Sequence, residues 1–285
     1  MNQRTQRIAV LGAGVMGVAI TTLAIANGLP VTLVDVDETK LATAPGRVRK
    51  QLRMAALMGS APKGRVAAIE VTTSVYDLVG VTAVIEAVTE LPELKAKVLA
   101  DVTAVTAPGT PVVTNTSAIP VDELASAVAR PADLAGAHFM NPPYLIRTVE
   151  VIRGPRTGDA ALSKVLDLLA AMDRESIVVA DGPGFVINRV LQRMINEAAR
   201  IVQEGVASPA DVDALFRGCL GHRTGPLATA DLIGLDNVAD SLRVLRDRTG
   251  DDGYEPCALL LDKVAAGDHG RKTGRGFYDH GEVHP

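Results

Sequence analysis

The chain has no tryptophan, two cysteines, four tyrosines and four phenylalanines. With so little aromatic bulk, the core has to be assembled from Ala, Val, Leu and Ile, and the 47% apolar content supplies them. Cys219 and Cys257 provide neither a disulfide framework nor a metal-type cluster, which excludes a disulfide-stapled scaffold and points to a reducing cytoplasm without a bound metal. A large excess of one charge is also missing. The net charge of -4 speaks against non-specific nucleic-acid binding as the main activity.

A long unbroken apolar run is lacking too. Arg4 and Arg7 precede a largely apolar stretch from Ile8 to Ala26 that imitates a secretory signal or a membrane helix with a Gly-x-x-x-Gly face. Glycines interrupt it early, and Val31-Thr32-Leu33-Val34-Asp35 reads as a strand pairing with the first. Cleavage after Ala26 would remove the first strand together with the glycine loop, so no targeting or membrane segment is expected.

What is present is an α/β rhythm in 285 residues, a length that accommodates two domains. Arg7 to Leu11 reads as a strand, Val15 to Asn27 as a helix stopped by Gly28, and Val31 to Val34 as a second strand, a β-α-β unit of the usual size. Further strands are expected at 83–86, 111–114, 134–139, 149–153 and 175–179. Helices are expected at 93–103, 120–128, with Pro120 in the first turn, and 160–172. Strands alternating with helices imply a doubly wound, mostly parallel sheet of Rossmann type. After Asp181-Gly182-Pro183-Gly184 the apolar spacing is helical almost throughout, at 186–204, 210–217, 227–248 in two pieces, and 257–266. The expected domains are therefore 1–180, binding a dinucleotide, and 181–285, an all-α C-terminal domain for substrate and dimerisation.

Gly12-Ala13-Gly14-Val15-Met16-Gly17 sits between the first strand and the first helix. Gly12 permits a tight turn, Gly14 lets backbone approach a pyrophosphate, and Gly17 lets the helix pack on the strand. The N–H groups that open the helix then face the phosphates. The second strand ends in Asp35, whose carboxylate suits ribose hydroxyls and repels a 2′-phosphate, so NAD is favoured over NADP.

Asn115-Thr116-Ser117 and His138-Phe139-Met140-Asn141-Pro142-Pro143 each follow a strand, and Glu150 lies twelve positions beyond His138. Parallel sheets gather ligands at the carboxyl ends of their strands. Oxidising an alcohol needs a base for the hydroxyl proton, histidine titrates in the right range, and a carboxylate would orient its ring. Read alone, His138 fits a structural hydrogen-bonding role better than a catalytic one, and Ser117 and Asn141 fit turns equally well.

Taken together, these runs resemble the short-chain 3-hydroxyacyl-CoA (3-hydroxybutyryl-CoA) dehydrogenases. The shared segments also include Val84-Ile85-Glu86-Ala87-Val88-Thr89-Glu90, Val149-Glu150-Val151-Ile152, Pro183-Gly184-Phe185-Val186-Ile187-Asn188-Arg189, Gly225-Pro226-Leu227, Ala230-Asp231-Leu232-Ile233-Gly234-Leu235-Asp236 and Arg271-Lys272-Thr273-Gly274. They span nearly the whole chain in the family's order. The resemblance implies His138 as catalytic base, Glu150 as its partner, and Ser117 and Asn188 at the substrate oxygen or holding the site together. It implies Asp35, Glu90, Lys95, Asn115 and Asn141 as cofactor contacts, with Lys272 near the nicotinamide end. It also implies a homodimer formed through the C-terminal domain, acting on neither nucleic acid nor membrane.

The sequence departs from the family between Asp35 and Thr73, where a helical hairpin is ordinarily longer. From Lys40 to Arg65 seven basic residues, Lys40, Arg47, Arg49, Lys50, Arg53, Lys63 and Arg65, occur without Asp or Glu, and Gly59-Ser60-Ala61-Pro62-Lys63-Gly64 breaks the helix. Val48, Leu52 and Ala55 form its apolar stripe. Arg47, Arg49, Lys50 and Arg53 are candidates to receive the thioester carrier, whether the phosphates of CoA or an acidic acyl carrier protein, and they suit a solvated helix face as well. Tyr144 and Arg147 replace a more apolar stretch and are expected near the acyl chain. These departures resemble the branch that oxidises glyceryl-acyl carrier protein for the methoxymalonyl extender units of polyketides. A non-catalytic, crystallin-like NAD-binding protein is the alternative of another class. If Asp35 selects the dinucleotide, Asp35→Ser weakens NAD binding more than NADP binding; titrations giving an unchanged affinity ratio would remove that assignment.

Overall fold

The computed structural model describes residues 6–60 and 64–281. Arg4 and Lys63 lie outside the described residues. The chain divides into two units, 1–182 and 183–285.

The first unit is built on one eight-stranded sheet. Its strands are β1 (Ile8–Leu11), β2 (Val31–Val34), β3 (Ile69–Thr72), β4 (Ala83–Glu86), β5 (Val112–Thr114), β6 (Leu134–His138), β7 (Thr148–Arg153) and β8 (Glu175–Ala180). The order is β3-β2-β1-β4-β5-β6-β7-β8, so the chain reverses direction across the sheet between β1 and β4. All pairs are parallel except β6 with β7. β1, β2 and β4 are buried along their full length, as strands covered on both faces must be. β3 is absent from the sequence-based expectation: Ile69-Glu70-Val71-Thr72 is a half-exposed edge strand whose apolar residues are too few to announce it.

Helices α1 (Val15–Ala26), α2 (Glu38–Leu57), α3 (Pro92–Val105), α4 (Val121–Ala125) and α5 (Asp159–Ala171) connect the strands. Asp37 caps α2, accepting the N–H groups of Thr39 and Lys40, and the expected stripe packs, with Val48 and Ala55 buried. The helix ends at Leu57 with Met58 as its cap, and Gly59 follows with the left-handed φ of 81°. Pro120 precedes α4 as its cap rather than lying in its first turn. The cap atoms for that helix come from far along the chain, because Asp181 accepts the N–H groups of Val121 (3.0 Å) and Asp122 (2.7 Å).

The second unit is helical: α6 (Ile187–Gln203), α7 (Pro209–Leu220), α8 (Pro226–Ile233), α9 (Leu235–Thr249) and α10 (Ala258–Ala265). Ile195, Leu227, Leu235, Val238, Leu242 and Leu260 are fully buried in its core. Two buried carboxylates fasten the final segment to α8. Asp213 accepts the N–H groups of Leu227 and Ala228 and the hydroxyl of Tyr278. Asp231 accepts the N–H groups of Phe277 and Tyr278 and bonds the His280 ring. Burial, then the Asp213 carboxylate, push the Tyr278 phenol well above its ordinary value.

Among the glycines of the first unit, Gly12 and Gly17, in the turn from β1 into α1, leave the least room for a Cβ. Gly12 has φ 100°, and a Cβ on Gly17 would lie 1.7 Å from the Gly12 carbonyl oxygen. A Cβ on Gly14 would meet nothing within 4 Å. Gly17→Ala is therefore expected to destabilise the first unit by at least about 2 kcal/mol. Gly14→Ala should stay within about 0.5 kcal/mol. Urea unfolding of both variants checks the contrast, and equal losses would contradict it.

Candidate active site

The glycine loop is held by its neighbours on both sides. Gly12 donates its N–H to Val34 O (2.7 Å), and Ala87 donates to Leu11 O (2.7 Å), so the loop sits where the sheet order reverses. Ala13 donates its N–H to Asp35 Oδ2 (2.7 Å), while Asp37 donates to Asp35 Oδ1 (3.0 Å). Asp35 thus fixes the loop and, with two acceptor oxygens of several lone pairs each, still suits ribose hydroxyls. No side chain caps α1, and no acidic residue lies in its first turn. Val15 is exposed and Met16 half-buried there. An uncapped helix start behind a glycine with open space beside it fits the pyrophosphate of a dinucleotide.

Arg47 does not extend toward solvent with its basic neighbours. Its guanidinium donates to Ala13 O (2.7 Å) and Gly14 O (3.2 Å), so it belongs to the glycine loop and not to a surface for the thioester carrier. Arg49, Lys50 and Arg53 are exposed, as that surface requires.

Three parallel strands end side by side at Glu86, Thr114 and, two positions further, His138. The next strand turns back. In the antiparallel β6–β7 pair His138 faces Glu150 directly. Directly opposed residues have their side chains on the same face and within reach. His138 Nδ1 lies 3.1 Å from Glu150 Oε2, with both residues buried. Twelve positions of sequence separation are thus turned into one contact by a loop and a strand register.

Ser117 follows β5 and is anchored by Glu90. One Glu90 oxygen, Oε1, accepts the Thr116 hydroxyl (2.5 Å), the Ser117 N–H (2.7 Å) and the Ser117 hydroxyl (3.2 Å). Its other oxygen lies 3.1 Å from Lys95 Nζ. Lys95 is 1% exposed and also donates to Glu86 Oε1 (2.8 Å) and Val88 O (3.3 Å). Its three protons therefore have three protein acceptors. Within this unit Lys95 ties Glu86 to Glu90, and through Glu90 it supports the segment that carries Ser117. Glu86 is also fully buried and accepts the Val88 N–H and the Thr114 hydroxyl. Asn115 Oδ1 accepts the Phe139 N–H (3.1 Å), tying the segment after β5 to the one after β6. Asn141 is exposed and precedes a cis proline.

Arg147, expected near the acyl chain, forms a fork on Asp173 (3.2 Å to each oxygen) and approaches Glu175. In the second unit Asn188 is the second residue of α6, and Lys272 lies 2.5 Å from Asp236 Oδ2. Burial would raise the Asp236 carboxyl, but Lys272 and the Asn237 N–H outweigh it and hold it low. Lys272 is thus an ion-paired residue of the second unit's final turn, which the sequence did not show. Glu86 and Asp181 were also missed. The one signal for Glu86 was a carboxylate closing an otherwise apolar buried strand. Among the described residues no cluster of ligating side chains fits a metal ion.

Burial would raise the Glu90 carboxyl, but Lys95, the Thr116 hydroxyl and the Ser117 N–H outweigh it and hold it below the usual range of about 4.5. A carboxyl lowered on folding adds stability that is complete above the unfolded value and is lost as pH falls through the folded one. The stability difference between wild type and Glu90→Gln should therefore be constant above about pH 5 and shrink as the pH falls below about 4.5, as read from urea midpoints. A difference that does not change with pH would contradict this account.

The chain matches the family model described as "3-hydroxyacyl-CoA dehydrogenase, NAD binding domain" over residues 7–182 and the model for that family's C-terminal domain over residues 184–280. It is 38% identical over 281 residues to a probable 3-hydroxybutyryl-CoA dehydrogenase of Bacillus subtilis, covering 97% of this chain and 98% of the relative. A 3-hydroxybutyryl-CoA dehydrogenase of Bradyrhizobium diazoefficiens is 37% identical, with coverage of 98% and 97%. Among solved structures, the (S)-3-hydroxybutyryl-CoA dehydrogenase of Ralstonia eutropha superposes with a TM-score of 0.89 at 35% identity, over 98% of this chain and all of that one. A doubly wound sheet with an uncapped glycine turn, a His–Glu pair at its carboxyl edge and matches of this length lead to one conclusion: the chain belongs to the 3-hydroxyacyl-CoA dehydrogenase family.

Proposed function

We propose that the protein oxidises the 3-hydroxyl of a short 3-hydroxyacyl thioester, with His138 as general base. The observation that supports this most is the β6–β7 register, which sets Glu150 Oε2 against His138 Nδ1. A carboxylate there favours the ring form protonated on Nδ1, which makes Nε2 the basic nitrogen, and it stabilises the imidazolium formed when the substrate proton arrives. Gly12, Gly14, Val15, Met16, Gly17 and Asp35 would hold NAD, which when bound supplies the hydride acceptor. Glu90 fixes Ser117 through both its N–H and its hydroxyl, so the serine is presented in one orientation. The roles of Asn115 and Asn141 toward the cofactor, and of Ser117 and Asn188 toward the substrate oxygen, rest on the family resemblance.

CoA is the favoured thioester handle because the relatives carry it in their names. Arg49, Lys50 and Arg53, exposed on α2, suit the phosphates of CoA and an acidic carrier protein alike. Homodimerisation through the second unit is proposed on its exposed apolar side chains, among them Val190, Leu215, Leu220 and Leu232. No helix among the described residues is long and apolar enough to cross a membrane. The two unpaired thiols fit a reducing compartment, and the cytoplasm is the proposed location.

His138→Gln is expected to lower kcat for 3-hydroxybutyryl-CoA by at least about 100-fold, the usual scale of general base catalysis, while keeping NADH affinity. Retained turnover would remove the mechanism. The same NADH-forming assay with glyceryl-acyl carrier protein decides the handle, and no NADH from any 3-hydroxyacyl thioester would revive the non-catalytic reading.

A further inference from the structure

The fork that Arg47 makes behind the glycine loop has a consequence for cofactor binding. Leu41, Ala44 and Val48 are buried along one face of α2, and Arg47 stands beside them, half-buried, where that face meets the loop. Its two nitrogens donate to two consecutive carbonyls, Ala13 O and Gly14 O. Among the described residues these two carbonyls are the partners of its guanidinium.

The bonded carbonyls belong to the peptide units Ala13–Gly14 and Gly14–Val15. A peptide is planar and trans, so fixing the direction of its C=O fixes the N–H on the opposite edge. The N–H groups of Gly14 and Val15 are therefore aimed by the arginine. Gly14 needs such a constraint, because a glycine with open space around it samples backbone angles that any other residue would avoid. The Gly14 oxygen also accepts the first helical bond of α1, from Val18 (3.1 Å), so the arginine shares an acceptor with the helix start and stiffens it. A cation on a carbonyl also polarises the peptide and strengthens its N–H as a donor.

We propose that Arg47 is a positioning residue of the dinucleotide site, holding from behind the two peptides whose N–H groups receive the cofactor's diphosphate. Asp35 fixes the Ala13 N–H from one side of the loop and Arg47 fixes the carbonyls from the other, so the cradle is set before the ligand arrives. Lysine retains the charge but reaches one carbonyl at a time, whereas methionine retains only the stem.

The test is direct NADH binding, followed by fluorescence titration, and so stands apart from the assignment of the thioester substrate. Arg47→Met is expected to raise the Kd for NADH about tenfold, equivalent to about 1.4 kcal/mol. Arg47→Lys should fall between wild type and the methionine variant. In steady-state assays KM for NAD should rise with the Kd while kcat changes less, a split that a loss of fold stability would not produce. The Met-variant deficit should persist at about 0.5 M salt, because hydrogen bonds at a half-buried loop are screened far less than attraction through solvent. Wild-type affinity in Arg47→Met would overturn the proposal, as would a deficit that vanishes in high salt, which would reduce Arg47 to a long-range charge.

Discussion

The site depends first on a reversal of strand direction. Five parallel pairs run from β3 to β6, and the sixth, β6 with β7, is antiparallel. Had β7 continued the parallel pattern, a crossover would have separated it from β6, and the residue opposite His138 would have come from elsewhere in the chain. The reversal needs only the loop between the two strands. It places a buried carboxylate beside a buried imidazole at the carboxyl edge of the sheet, where parallel architecture already gathers ligands. Backbone hydrogen bonds set this geometry, so the two side chains have little freedom to lose when they meet.

A network of charge, buried at Glu86 and Lys95 and reaching the surface at Glu90, supports that edge. Glu86, Lys95 and Glu90 run from inside the sheet outward to Ser117. Buried ion pairs add little net stability after desolvation, but breaking one leaves an uncompensated charge. The network therefore does more to specify one arrangement than to strengthen the fold. Thr114, the Val88 N–H, Thr116 and Ser117 supply its remaining hydrogen bonds, so the ends of β4 and β5 are tied to a single set of charges. The glycine loop follows the same logic on a smaller scale, with Asp35 and Arg47 holding opposite edges of consecutive peptides.

Most of the architecture was legible because apolar runs, glycines and helical spacing state it locally. The β-α-β unit, the apolar stripe of α2 and the all-helical second unit follow from patterns within twenty residues. The half-exposed β3 escaped because its four residues carry too little apolar signal. The chemistry was legible only in part. His138 and Glu150 were suggested by residue type and by family resemblance, but residue spacing alone does not state that β7 runs antiparallel to β6. Arg47 was grouped with its basic neighbours because the sequence shows a run of charge, while the structure separates one arginine that faces the loop from three residues that face solvent. Lys95 and Lys272 were expected as cofactor contacts, and the structure adds carboxylate partners that the sequence did not announce, for Lys272 thirty-six positions away. Side-chain partners across long separations are where reading from sequence stops.

In the proposed mechanism Glu150 sets the protonation form of His138. Nitrogen-15 NMR of the His138 ring in the intact protein, recorded at a pH where the imidazole is neutral, tests it most directly. The expected form carries its proton on Nδ1, shared with Glu150, and leaves Nε2 unprotonated; in Glu150→Gln that preference should weaken. A neutral ring carrying its proton on Nε2 in the wild-type protein would contradict it.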